Sequence, residues 1–306
     1  MKKPTLMNPI LVLLFFSTIG IKAQESWIDN SKHSGLIELN TDYPFKVLVS
    51  NDTTNNTTET LKNMNNAKLY FDKTFQTNLK FAVLFIENKK WNTYAYFPPP
   101  GLPQAGSGNV ILGLDKSIVS MEVEKMLKKL PEQHLGKLKS VYGNNIDLDL
   151  FYRETLSIHE LAHLYHFKEG TKPQRKWLQE LFATMSMYAF IKNNCNTCYD
   201  LMDTYPEFMI ASGDQMAEFK TLKDFEEKYV QKLTPQNYEW FQMQFYKTAK
   251  SIIDSKNDTV LLKLLHFLIR TDLDKTHKLS DIELTSRLTE EVGKEMGDIL
   301  TNWKYK

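Results

Sequence analysis

In the first half of the chain, hydrophobic positions come in short alternating runs. Phe45-Lys46-Val47-Leu48-Val49 and Phe81-Ala82-Val83-Leu84-Phe85 repeat with period 2 and read as strands. Between them, residues 57–74 carry Leu61, Met64, Ala67, Leu69 and Tyr70 at near-helical spacing. Residues 91–97 read as a further strand, which ends at Pro98-Pro99-Pro100-Gly101, a stiff turn poor in backbone donors. Gly106-Ser107-Gly108-Asn109 then leads into Val110-Ile111-Leu112-Gly113, a glycine-flanked strand. After about Ile118 the period becomes helical. Helices are expected over 118–130, 147–168, 173–192, 222–232, 235–254, 258–270 and 280–300, the last broken near Gly293. Thr234 before Pro235 is a start signal, Pro173 acts likewise, and Gly170 ends the helix before it. There is no internal repeat. The pattern predicts an α+β protein: a small α/β lobe with a mixed sheet over residues 24–146, then an all-helical lobe over 147–306.

The first residues change this picture. Lys2 and Lys3 precede an apolar run from Ile10 to Ile21, and Ala23 offers a small residue at a cleavage point. The run is shorter than the roughly 20 apolar residues that a membrane span needs. Residues 1–23 are therefore expected to be a cleaved signal peptide, and the protein periplasmic or secreted without a membrane span. That segment holds three lysines and no acid, which leaves 35 basic side chains against 37 acidic ones. Such a balance provides no basic surface for nucleic acid. The only cysteines, Cys195 and Cys198, lack the second pair that a structural zinc site requires. In an exported chain they are expected to close a short disulfide.

The candidate chemistry lies on two consecutive helices. His159-Glu160-Leu161-Ala162-His163 puts two imidazoles one helical turn apart on one face, within reach of a single Zn²⁺. Glu160 then stands beside the metal as general base toward a water that zinc acidifies. Trp177-Leu178-Gln179-Glu180-Leu181-Phe182-Ala183 follows a turn over residues 168–173, so the two helices can pack as a hairpin and present Glu180 to the histidines. Its apolar neighbours mark a buried helix. His₂Glu with an open fourth position is the ligand set of a catalytic zinc site. His166 lacks the spacing of a third histidine ligand.

At residues 159–163 and 177–183 the chain resembles the gluzincin zinc metallopeptidases, the group that includes thermolysin and the M1 aminopeptidases. The resemblance implies a zincin-like fold with the active-site helix between the lobes. It also implies His159, His163 and Glu180 as zinc ligands, Glu160 as catalytic acid/base, and a peptide or protein substrate. Two positions depart from the family pattern: Leu181 stands where many members have Gly, and Thr184 where the thermolysin branch has an Asp that orients a histidine. In this family an edge strand pairs with the substrate backbone. Residues 107–112 are the candidates here, with Gly108, Asn109 and Val110 as substrate-binding residues. A helical-lobe Tyr stabilises the oxyanion in M1-like members. Tyr238 is expected in that role, with Tyr246 second. The competing expectation is an exported peptide-binding protein that keeps the gluzincin scaffold without turnover.

Overall fold

The computed structural model describes residues 27–52, 57–214, 217–229 and 233–305; the expected signal peptide lies outside the described residues. Five strands form one mixed sheet: β1 (Ile37–Glu38), β2 (Lys46–Val49), β3 (Ala82–Ile86), β4 (Gln104–Gly106) and β5 (Asn109–Gly113), in the order β1-β2-β3-β5-β4. β2, β3 and β5 are parallel, with Val47 opposite Val83 and Val83 opposite Val110; β1 and β4 are antiparallel on the two edges. The crossover from β2 to β3 is helix α1 (Thr58–Thr74), which buries Leu61, Met64, Ala67 and Phe71. Its apolar stripe follows the i, i+3, i+4 rule. The parallel strands are covered on both faces, as such strands must be. Val47, Val83 and Val110 face the main core, while Leu48, Leu84 and Ile111 face a smaller cluster around Trp91 and Ala95.

Two sequence expectations fail in this half. Residues 91–97 are not a strand, because α2 (Trp91–Tyr94) is a single helical turn. Trp91, Tyr94 and Ala95 alternate poorly but share one helical face, and that face covers the second side of the sheet. Residues 107–112 are not an edge strand. Ser107 and Gly108 both have positive φ (38° and 75°) and form the two-residue turn of a hairpin between β4 and β5. A Cβ at Gly108 would come within 2.7 Å of Ile28. The hairpin adds β4 outside β5, so β5 is paired on both sides and the open edge belongs to Gln104–Gly106.

The remainder is helical. It comprises α3 (Ile118–Leu127), α4 (Gly136–Tyr142), α5 (Leu156–Phe167), α6 (Lys176–Asn194), α7 (Asn196–Ala211), α8 (Leu222–Lys228), α9 (Pro235–Lys256), α10 (Thr259–Arg270) and α11 (Asp281–Glu291), then two short turns, α12 (Lys294–Gly297) and α13 (Ile299–Asn302). The expected 147–168 helix is split. Leu150–Thr155 is wound as a π-helix that runs into α5, and Glu154 within it is buried and accepts a hydrogen bond from Thr60 Oγ1 at 2.6 Å. α4 and α7 were not anticipated. α7 begins directly after Cys195, whose disulfide to Cys198 ties its first turn, and it carries Pro206 in its interior, so its periodicity is obscured. One hydrophobic cluster runs from Phe45 in the sheet through Leu161 of α5 to Trp303 near the C-terminal end.

Candidate metal centre

α5 packs beneath the sheet with Ile158, Leu161, Ala162 and Tyr165 in the core. His159 and His163, four residues apart, share a different face of the helix. α5 ends at Phe167, the φ of 62° at Gly170 lets the chain reverse, and α6 returns alongside. α6 is buried over most of its length, from Trp177 to Ile191, so the carboxylate of Glu180 is held inside the protein. The hairpin brings three donor atoms together. His159 Nε2 and His163 Nε2 are 3.0 Å apart, and Glu180 Oε2 lies 3.6 Å from the first and 3.7 Å from the second. All three side chains are at least nine-tenths buried. Two imidazole nitrogens at that distance share either a hydrogen, one ring donating its N–H to the other, or a metal ion. A carboxylate oxygen of Glu160 and a ring nitrogen of each histidine also lie within 4.8 Å of one another. The group could hold a metal.

Two carboxylates therefore flank the histidine pair, and their electrostatics differ. Burial works against the charge of Glu180, but the adjacent His163 and His159 outweigh it and hold its carboxyl well below the usual range. For Glu160 burial dominates and pushes the carboxyl up to about 8, against the opposing pull of His163 and the Ala105 backbone N–H. Burial lowers the pKa of His159, whereas at His163 burial is outweighed by the charge and hydrogen bond of Glu180 together with the charge of Glu160, which raise it. Glu180 is thus the permanently charged partner of the histidines, and Glu160, only half-buried, is the carboxylate that can exchange a proton near neutral pH.

Several side chains missing from the sequence reading complete the surroundings. Tyr229, just past α8, donates its hydroxyl to Glu180 Oε1 at 3.0 Å, and Gln242 Nε2 donates to Glu180 Oε2 at 2.9 Å. Tyr238 is at the site, with its hydroxyl 3.5 Å from Glu180 Oε2. Tyr246 is not, since its hydroxyl is bonded to Asp203. Gln242 lies four residues after Tyr238 on α9, so the one signal that could have revealed it is the shared helix face. Thr184 donates to the Glu180 carbonyl at 2.9 Å, which leaves its oxygen free to accept from His159 Nδ1, 3.4 Å away. With its ring proton on Nδ1, His159 donates to this oxygen and presents Nε2 to the cluster. A threonine therefore occupies the place where the family resemblance calls for an aspartate. The ring of His163 stacks on Phe167 at 5.2 Å, and its Nδ1 has no partner among the described residues.

The expected substrate residues are elsewhere. Val110 is fully buried in the interior strand. The Asn109 side chain is engaged with His33 at 2.8 Å, with the Asp29 carbonyl at 3.1 Å and with Tyr96. Gly108 is in the hairpin turn. The backbone that faces the cluster is that of Ala105 in β4, whose N–H acts on Glu160. By the alternation of a strand, the Ala105 N–H and C=O point away from β5, toward the side on which no strand among the described residues pairs with β4. A trough of about 960 Å³ between the N-terminal segment and Phe81 shares no residue with this cluster. No protein-family model, no curated protein and no solved structure matches the chain.

Proposed function

We propose that the protein is a zinc-dependent metallopeptidase with a zincin-like fold, in which His159, His163 and Glu180 hold the metal and Glu160 is the general acid/base. The observation that carries this reading is the triangle of donor atoms with sides of 3.0, 3.6 and 3.7 Å. Tetrahedral zinc with bonds of about 2.0–2.1 Å separates its ligand atoms by about 3.3–3.4 Å, so the donors fit the ion. Zinc in this position supplies a Lewis acid that polarises a peptide carbonyl and acidifies water. Glu160 takes the proton from the attacking water and passes it to the departing amine. Tyr238 is the candidate donor to the developing oxyanion. The outer edge of β4 supports a peptide substrate, because an extended backbone can add there through the Ala105 carbonyl, beside Glu160, which takes the Ala105 N–H. The Cys195–Cys198 disulfide suits an oxidising compartment, in keeping with export to the periplasm or beyond. Among the described residues no helix is long and apolar enough to cross a membrane.

The test is zinc content of the purified protein together with peptide-library hydrolysis. Wild type is expected to carry close to one zinc per chain and Glu180→Ala much less. Glu160→Gln is expected to keep the metal and lose hydrolysis. A wild type without metal after zinc is supplied overturns the reading. A zinc-loaded wild type that cleaves no peptide leaves the peptide-binding scaffold in its place.

A further inference from the structure

Glu180 is held by side-chain donors from outside the α5–α6 hairpin. Both of its carboxylate oxygens take hydrogen bonds from neutral side chains. The division is asymmetric. Oε2, the oxygen that faces both imidazoles, receives Gln242 Nε2 at 2.9 Å and has the Tyr238 hydroxyl 3.5 Å away. Among the described residues, Oε1 receives only the Tyr229 hydroxyl, at 3.0 Å. The donors come from two elements, α9 and the end of α8, so together they fix the plane of the carboxylate and its rotation. Tyr229 is itself clamped: its ring packs edge-on against Phe225 at 4.9 Å and Tyr238 at 5.8 Å, with Lys176 Nζ 5.2 Å above it.

A carboxylate can bind a metal through one oxygen or through both. One oxygen, with two imidazoles, leaves a tetrahedral position open for reaction, whereas two oxygens consume it. We propose that Tyr229 and Gln242 are positioning residues that make Glu180 a one-oxygen ligand. Gln242 presents Oε2 to the histidines, and Tyr229 holds Oε1 away from the metal. The inference rests on the metal-site reading above. It assigns to Tyr229 and Gln242 the control of coordination number, by hydrogen bonds made to a ligand and not to the metal.

Cobalt(II) substitution tests it, since four-coordinate cobalt absorbs far more strongly in the visible than five-coordinate cobalt. Tyr229→Phe removes one hydroxyl and keeps the ring. It is expected to weaken the visible bands toward the five-coordinate form while zinc affinity, measured by competition with a chromophoric chelator, falls less than about ten-fold. Gln242→Met keeps the volume and removes the donor, and is expected to lower zinc affinity by roughly 10–100-fold. The variants lie on separate elements, so either one tests the inference if the other fails to fold. A wild-type cobalt spectrum in Tyr229→Phe overturns it, as does wild-type zinc affinity in Gln242→Met. A wild-type chain that takes up neither metal removes both this inference and the site it rests on. Metal-binding wild type with unchanged variants removes only this inference.

Discussion

His166 is three residues beyond His163 and fully buried, and it is the clearest residue-scale source of acid sensitivity outside the ligand set. Its Nε2 is 2.9 Å from Thr171 Oγ1, and its Nδ1 has no partner among the described residues. Burial first, and then the neighbouring His163, push its pKa down from 6.5 to about 4, against a weaker pull from Asp272. The folded protein therefore binds fewer protons than the unfolded chain between these values. The stability contribution of neutral His166 is complete above pH 6.5 and is lost as pH falls toward 4. Between pH 7 and pH 5 the loss amounts to about 2 kcal/mol. His166→Gln cannot titrate. In urea unfolding of the metal-free protein, the stability difference between pH 7 and pH 5 is expected to shrink by about that amount relative to wild type. An unchanged difference would mean that the imidazole is not held neutral. Thr184 teaches another residue-scale lesson: a hydroxyl that donates to its own helix still has an oxygen with which to orient His159.

At the scale of elements, β4 is the strand on which the open edge depends, and Gln104 is what anchors it. Its side chain is fully buried. It accepts from the backbone N–H of Tyr96 at 2.7 Å and of Phe97 at 3.2 Å, and donates to the Phe97 carbonyl at 2.8 Å. Gln104→Ala strands these groups and is expected to cost about 2–4 kcal/mol, read by urea denaturation. A cost below about 0.5 kcal/mol would mean that the loop, not Gln104, sets the edge. The same hairpin marks where pattern reading stops. Gly106-Ser107-Gly108-Asn109 is recognisable as a turn, but a three-residue strand before it offers too short an alternation to detect. Without β4, β5 looks like the edge. The 91–97 segment fails for a related reason, since a stretch of four to seven residues can satisfy both a period of 2 and a period of 3.6.

On the scale of the whole molecule, the sheet and the helices share one core. Phe45, Phe71 and Val110 belong to the same hydrophobic cluster as Leu161, Phe182, Leu264 and Trp303. Polar ties cross between the segments as well: Tyr165 to Asp72 at 2.7 Å, Tyr70 to Asp258 at 2.7 Å and Thr60 to Glu154 at 2.6 Å. Residues 24–146 and 147–306 are therefore expected to unfold together, in a single transition with coincident far-UV circular dichroism and tryptophan fluorescence. Two transitions, one retaining the sheet, would mean that the core divides.

The sequence by itself determined what local geometry controls. A four-residue spacing on one helix places His159 and His163 on the same face whatever surrounds them, and a glycine-ended turn returns the next helix with Glu180 toward them. Tyr238 came from the family resemblance, and the start signal of its helix fixed only where that helix begins. Only the tertiary structure decided which strand lies outermost and which side chains close on Glu180. Strand order follows from long-range hydrogen bonding between segments whose own pattern is the same at an edge or in the interior. Tyr229 and Gln242 reach Glu180 from 49 and 62 positions away along the chain, a convergence that depends on how helices pack and leaves no periodic trace in the sequence.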